Sequence, residues 1–253
     1  MEDIGKSAAN SRQTPESSML SNHTLAAMDG DDLAALLPHL REQTVERGQT
    51  LSAQGERVSE VYFPTTARLK NVVTFSDGRS AETFMIGKEG VSGLSPFLSD
   101  SRSGWAVEVG ISGKAYHLPA RVLRSRIDDS HTLRMQFNGL MNDYLTQASL
   151  GVACASLHSA TSRLARFVLV TSERMEHADL HLTQQDLAIA LALQRTTVSV
   201  SAAVLKSRKL IKYSRGVIRI LNLSGLRDAA CECYNLQQEV LDPLPRSPAL
   251  AAA

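Results

Sequence analysis

The spacing of apolar residues changes at Pro119, and that change limits the architectures open to this chain. Before it, short apolar runs at residues 43–46, 60–63, 69–75, 81–86, 105–111 and 114–118 are separated by turn formers: Gly48, Gly55, Pro64, Ser76-Asp77-Gly78, Gly87, Gly90, Gly93 and Ser112-Gly113. Many short strands at this spacing predict an all-β jelly roll or barrel. Asp77-Gly78, between Val72-Val73-Thr74-Phe75 and Ala81-Glu82-Thr83-Phe84, is the clearest hairpin signal, because both residues tolerate the positive φ of tight hairpin turns. After Pro119 the period is helical. Residues 131–158 contain no proline, and Phe137, Met141, Leu145, Ala148, Val152 and Ala155 recur at steps of four and three. A helix of that length spans about 40 Å at 1.5 Å per residue, more than one roll needs to cover itself. The stripe therefore reads as the seam of a symmetric helix pair, with packing on the chain's own roll as the alternative.

Two further elements flank this core. Leu25, Leu33, Leu36, Leu37 and Leu40 suggest short amphipathic helices broken at Asp29-Gly30, with Asp31 or Asp32 as a cap. A second helix after the long one, residues 162–175, carries Leu164, Phe167, Val168, Thr171 and Met175 inward, and Glu176-His177-Ala178-Asp179 then reads as a polar loop. The first 22 residues are rich in Ser and Asn and lack an apolar h-region, so they read as a disordered leader, with Met19 as an alternative start. No apolar run approaches the roughly 20 residues needed to span a bilayer.

Charge adds a second constraint. The net charge is only +1, yet no acidic residue lies between Asp186 and Asp228, where Arg195, Lys206, Arg208, Lys209, Lys212, Arg215, Arg219 and Arg227 all fall. A one-sign block in an otherwise balanced chain suits a phosphate-binding surface. Within it, Thr183-Gln184-Gln185-Asp186 has the form of a capping box, and Leu187, Ala190 and Leu191 give the helix that follows a buried side. After a break at Ala192-Leu193-Gln194, a second helix over 195–207 turns Val198, Ser201, Ala202 and Leu205 inward. Arg195, Thr196, Ser199, Val200 and Ala203 are left outside. Two helices joined by a short turn, the second with polar residues at its exposed start, form a helix-turn-helix. Ile211-Lys212-Tyr213 and Val217-Ile218-Arg219-Ile220 around Ser214-Arg215-Gly216 add a β-hairpin wing.

These residues resemble the Crp/Fnr superfamily of bacterial transcription regulators. The resemblance is strongest from Cys154 to Tyr234 and is carried by Leu157-His158-Ser159, Arg163-Leu164-Ala165-Arg166, Leu182-Thr183-Gln184, Gln194-Arg195-Thr196-Thr197-Val198-Ser199-Val200, Leu210-Ile211-Lys212-Tyr213-Ser214-Arg215-Gly216 and Ala230-Cys231-Glu232-Cys233-Tyr234. It implies an α+β fold: an N-terminal jelly roll like those that bind cyclic nucleotides, a long dimerisation helix and a C-terminal winged helix-turn-helix. The expected divisions are 1–22, 23–130, 131–158, 159–224 and, for a C-terminal helix and tail, 225–253. The resemblance also implies a cytoplasmic homodimer on a two-fold symmetric site in double-stranded DNA, with RNA polymerase as a further partner if the protein activates, and no membrane.

Arg195, Thr196, Ser199 and Val200 are then expected to read bases, an Arg at a recognition-helix start being able to donate two hydrogen bonds to guanine. Thr183, Gln194, Thr197, Lys206, Lys212, Ser214 and Arg215 are expected on the DNA backbone. One departure is Ala192, where family members often carry Gly; Ala fits the turn only with negative φ or with accepted strain.

Cyclic-nucleotide members of the superfamily carry Gly-Glu-Leu followed by an Arg-Ser or Arg-Thr pair. Here the matching residues are Gly93 and Leu94, then Phe97, then Arg102 and Ser103, with the carboxylate position taken by Gly93. Ser149 aligns with half of the adenine contact. A cyclic nucleotide is thus poorly provided for, Arg102 reads equally as a loop support, and no other cofactor is implied. Iron–sulfur sensing would need cysteines near the N-terminus, and none precedes Cys154; haem sensing has only His117 and His131 to call on. Cys231 and Cys233 lie too close together for usual zinc spacing without other ligands, so no metal site is expected; they read as a buried thiol pair, and Cys154 as packing. Three cysteines do not make a disulfide framework. No nucleophile elbow, phosphate-binding glycine loop or metal-ligand pair at helical spacing points to an enzyme, although Glu82, Glu89 and His117 could share a cleft. The rival reading is a ligand-binding or scaffold protein with a degenerate helix-turn-helix, which the acid-free basic block disfavours.

Overall fold

Strand pairing begins with polar–apolar alternation. In β6 (Ala106–Ile111) Val107 and Val109 are buried in one apolar cluster, and in β7 (Gly113–Pro119) Tyr116 and Leu118 are buried in another, so in each strand alternate side chains share a face. A computed structural model describes residues 18–94, 101–175 and 179–241. Its roll is built of two sheets. β1 (Arg41–Val45), β7 and β3 (Glu60–Pro64) pair in the order β1-β7-β3, and β2 (Thr50–Ser52), β6, β4 (Arg68–Thr74) and β5 (Ser80–Ile86) in the order β2-β6-β4-β5. All pairs are antiparallel. β2 escapes the sequence pattern because Thr50-Leu51-Ser52 is short and carries a single apolar residue.

The Asp77-Gly78 turn forms with a correction. Only Gly78 has positive φ (82°), while the Asp77 carboxylate accepts from the Arg79 backbone N–H at 3.0 Å. Phe75 and Arg79 close a longer loop through Phe75 N–H to Arg79 O at 2.9 Å. The side-chain bond to the backbone makes an Asx-type turn, so Asp77 has no need of the left-handed region.

Helices α1 (His23–Ala26) and α2 (Gly30–Leu36), then a 3-10 turn (Leu37–His39), cover one end of the roll. Neither Asp31 nor Asp32 caps α2. Asp29 does, accepting from Asp31 N–H at 3.0 Å. Asp32 is instead buried, receiving Arg126 Nε at 2.6 Å and Ser130 Oγ at 2.8 Å. The end of the stretch expected as a leader is packed on the roll. Residues 1–17 lie outside the described residues, but Met19 and Asn22 are buried, and the Asn22 amide donates to Pro64 O and Gly90 O at 2.9 and 3.0 Å.

α3 (Ala120–Asp129) leads into α4 (His131–Leu157), the long helix, whose N-cap Ser130 accepts from Leu133 N–H at 3.1 Å. α5 (Ala160–Met175) buries Leu164, Phe167, Val168, Thr171 and Met175 as its period requires. β8 (Asp179–His181) occupies the end of the stretch expected as a polar loop; Glu176, His177 and Ala178 lie outside the described residues. Next come α6 (Gln184–Leu191), α7 (Arg195–Ser207), β9 (Ile211–Ser214) and β10 (Val217–Ile220), with β8, β10 and β9 forming a small antiparallel sheet. The single C-terminal helix expected is two, α8 (Leu223–Ala229) and α9 (Cys233–Leu241), broken where Ala230 is extended. Residues 242–253 lie outside the described residues. Separate apolar clusters fill the roll and the C-terminal half, and Met85 of β5 packs on the second. Among the described residues no single helix is long and apolar enough to cross a membrane.

Candidate nucleic-acid interface

The capping box closes as its residues dictate. Asp186 N–H donates to Thr183 Oγ1 at 3.2 Å and Thr183 N–H to Asp186 Oδ2 at 2.6 Å, which satisfies two of the free donors at the start of α6. The helix ends at Ala192, in the left-handed region at φ 49°, ψ 49°. There Leu193 N–H reaches Ala188 O at 2.9 Å and Ala192 N–H reaches Ile189 O at 3.3 Å, the paired bonds of a Schellman stop. Of the two conformations open to Ala192, the chain takes the strained one. Arg163 adds a guanidinium bond to the Leu191 carbonyl. The axis then bends by 105° into α7, within the range of helix-turn-helix motifs.

α7 turns Val198, Ser201, Ala202 and Leu205 into the core, and these small residues let it sit close to α5 and α6. Arg195, Thr196 and Val200 are exposed, Val200 by 66%, while Ser199 is half-buried and donates to Arg195 O at 3.0 Å. Gln194 is the exposed N-cap and makes no capping bond; Thr197 is half-buried. Thr183 is exposed, with its hydroxyl held inside the capping box. The wing turns at Arg215 (φ 50°) and Gly216 (φ 76°), with Ser214 opposite Val217. Two successive positive φ angles match the twist of the strands they join. Tyr213 Oη donates to Leu182 O at 3.0 Å and anchors the wing to the strand before α6.

The basic block divides. Arg219 makes a two-bond pair with Asp179 across β10 and β8, and Arg227 lies 3.4 Å from Glu173. Arg195, Lys206, Arg208, Lys209, Lys212 and Arg215 are exposed and form no ion pair among the described residues. They remain available for an external anion.

The roll touches this unit directly, which sequence reasoning missed. Arg47, in the turn after β1, pairs with Asp186 of α6. The β4–β5 hairpin faces the start of α7, where Phe75, Gly78 and Arg79 line one cleft with Ile189, Gln194 and Arg195. Arg174 of α5 donates to Met85 O at 3.2 Å and lies 3.1 Å from Glu89. No local signal marks such pairs, since each partner looks like an ordinary surface charge.

The five expected ligand residues do not converge. Gly93 (φ 78°) and Leu94 line a cavity of about 210 Å³ against α4, with Phe84, Trp105 and Tyr144 among its other walls. Arg102 turns away and donates to Gly55 O at 3.0 Å; Ser103 is buried and donates to Trp105 O at 2.6 Å; Ser149 is exposed and donates to Leu145 O at 2.8 Å. Arg102 therefore supports a loop, and Phe97 lies outside the described residues. At the cavity edge Tyr144 Oη accepts from Val91 N–H and donates to Val91 O, both at 2.7 Å, and burial pushes its phenol pKa up.

The expected seam also divides. Phe137 is 1% exposed inside the roll's core and Met141 packs against that core, so Phe137 belongs to its own chain. Leu145, Ala148, Val152 and Ala155 are exposed, Leu145 by 68% and Val152 by 70%. Glu82, Glu89 and His117 share no cleft: Glu82 pairs with Arg68, Glu89 with Arg174, and His117 with Glu60 at 3.1 Å. Cys231 and Cys233 are buried, but in company: Cys154 and His158 of α4 bring their ligand atoms to the same point, within 4.8 Å of all the others. Cys154 packs against thiols rather than aliphatics.

A β-roll, a long connecting helix and a winged helix-turn-helix together define the fold of the Crp/Fnr transcription regulators. Residues 162–229 match the Crp-like helix-turn-helix domain. Among solved structures the chain is similar to FixK2 from Bradyrhizobium japonicum, with 18% identity, TM-score 0.67 and coverage of 76% of this chain and 98% of that one. It is similar to a Crp/Fnr-family transcriptional regulator from Thermus thermophilus, with 18% identity, TM-score 0.64 and coverage of 75% and 98%. It is also similar to CLP of Xanthomonas campestris, described as a c-di-GMP responsive global regulator, with 12% identity, TM-score 0.64 and coverage of 76% and 99%. No match emerges among curated protein sequences.

Proposed function

We propose that this protein is a cytoplasmic, non-catalytic transcription regulator of Crp/Fnr type that binds a two-fold symmetric operator as a homodimer. The observation that carries the reading is the exposed face of α7 and the wing, where six cations without ion-pair partners among the described residues flank a helix start. Arg195, Thr196, Ser199 and Val200 face the base edges. Gln194, Thr197, Lys206, Lys212, Ser214 and Arg215 take the phosphates, beside Thr183, whose backbone N–H and hydroxyl both close the capping box. The exposed part of the α4 stripe, Leu145 to Ala155, pairs with its copy. RNA polymerase is a partner if the protein activates.

The roll carries the regulatory signal, transmitted through the contacts that Arg47, Arg68 and Arg174 make between the two halves. The small cavity walled by Phe84, Leu94 and Trp105 favours a compact apolar effector over a cyclic nucleotide, because Arg102 and Ser149 do not reach it.

The test is retention of genomic fragments, including the gene's own promoter, across a salt series. A regulator retains discrete fragments with an affinity that falls steeply with salt. A scaffold protein with a degenerate helix-turn-helix would retain none above background at about 0.15 M salt.

A further inference from the structure

Four metal-ligand side chains, three thiols and an imidazole, meet where the C-terminal segment crosses the end of α4. Cys154 lies in the last turn of that helix and His158 is its extended C-cap, and their ligand atoms lie within 4.8 Å of each other. Cys231 and Cys233 flank Glu232 in a tight turn closed by Tyr234 N–H to Cys231 O at 3.0 Å, which brings both sulfurs to the same side. Cys154 Sγ lies 3.5 Å from Cys231 Sγ, and Cys233 Sγ lies 3.5 Å from His158 Nδ1. A tetrahedral zinc ion with Zn–S of about 2.3 Å and Zn–N of about 2.0–2.1 Å requires ligand separations of about 3.6–3.8 Å. A disulfide would instead need about 2.05 Å between sulfurs.

We propose that Cys154, His158, Cys231 and Cys233 form a closed, structural zinc site that staples the C-terminal segment to the end of the long helix. Three thiolates and one imidazole select a soft, tetrahedral divalent ion, and four protein ligands leave no open position for chemistry.

Two independent features of the surroundings fit the ion. His158 Nδ1 faces the sulfurs, which leaves Nε2 turned outward, 3.6 Å from Glu232 Oε1 and just beyond hydrogen-bond distance. Three thiolates around a dication leave one net negative charge, and the Arg166 guanidinium lines one cavity with Cys154. Its Nε is buried without a hydrogen-bond partner, although its Nη1 donates to Gln237 at 3.0 Å. The three cysteines also form a buried patch separate from the aliphatic cores, an arrangement that gains little from apolar burial alone. The staple joins Cys154 to Cys231, 77 positions apart in the chain, at the elbow between α4 and α5.

The site stands independently of the DNA-binding reading. Its test is metal content of the full chain, purified reduced and without chelator, together with reconstitution by cobalt(II). Close to one zinc per chain is expected, released stoichiometrically as thiols are titrated with a mercurial. The cobalt form should show thiolate charge-transfer and tetrahedral ligand-field bands. C233S should alter that spectrum, and E232Q, outside the ligand set, should keep the metal. The proposal is overturned if folded, reduced wild-type protein holds no zinc and gives no cobalt–thiolate bands. It is equally overturned if Cys154 and Cys231 are recovered as a disulfide with no metal, or if zinc persists undiminished in a folded variant lacking all four ligands.

Discussion

The guanidinium of Arg68, in β4, lies 5.3 Å over the ring of Phe167, in α5, and pairs with Glu82 on the neighbouring strand. Arg68 and Glu82 side chains are both almost wholly buried, so the charge on each is tolerable only because of the other. This places a buried ion pair where the roll meets the helix-turn-helix unit.

Arg68→Leu should cost about 3–5 kcal/mol in denaturant unfolding, because it strands the Glu82 carboxylate. The double variant Arg68→Leu/Glu82→Leu should recover most of that loss. Phe167→Leu, which keeps an apolar side chain, should cost about 1–2 kcal/mol through lost cation–π attraction and a small cavity. Equal destabilisation in the single and double variants would show that the pair is not coupled.

Arg47 and Asp186 define the second link, and it is more exposed than the first. Arg47→Ala should therefore change stability by no more than about 1 kcal/mol. It should nonetheless loosen the roll from α6 and shift DNA affinity, measured by fluorescence anisotropy on a retained fragment, without altering the salt slope. Asp186→Ala is the wrong probe, because that carboxylate also closes the capping box. Unchanged affinity in Arg47→Ala would remove this contact from the regulatory path.

Much of this architecture is legible in the sequence, because periodicity reports which face is buried. Val198, Ser201, Ala202 and Leu205 are inward in α7 as their spacing requires, and α4 ends within a residue of the expected range 131–158. What periodicity cannot report is which neighbour buries a face. Phe137 and Val152 continue one stripe, yet the roll ends along α4 and covers only the first. Long-range pairs are equally silent: Arg47 and Asp186 are 139 residues apart, and His158 joins Cys233 from 75 residues away. Arg102 likewise takes a partner remote in the chain, the carbonyl of Gly55, which no local pattern announces.

Ala192 gives a prediction of opposite sign. A left-handed alanine costs about 1–2 kcal/mol, and glycine removes that cost while adding about 0.4–1 kcal/mol of unfolded-state entropy. Ala192→Gly should stabilise the protein by about 0.5–1 kcal/mol and raise the melting temperature by a few degrees. A fall in melting temperature would mean that the methyl group's contacts outweigh the strain.

Arg195 and the wing should separate by what they read. Arg195→Ala should lose about 1–3 kcal/mol at the specific operator and much less on unrelated DNA. Lys212→Ala and Arg215→Ala should weaken all DNA alike and reduce the salt slope by about one unit each. Should Arg195→Ala weaken both kinds of DNA equally, that side chain touches phosphate and the groove geometry is wrong.

The dimer is tested most cleanly at Val152, which is 70% exposed and lies beyond the cavity that Ala148 helps to line. If Leu145, Ala148, Val152 and Ala155 meet their copies, Val152→Glu places two carboxylates near each other in a desolvated seam. Sedimentation at micromolar concentration should then show monomers with an unchanged melting temperature for the roll. Operator affinity should fall by orders of magnitude, since a monomer engages one half-site and loses the effective concentration that tethering supplies. Because Val152 contacts little of its own chain, a folding defect is not expected to confuse the result. A Val152→Glu protein that stays dimeric and binds operator normally would move the interface off this face of α4.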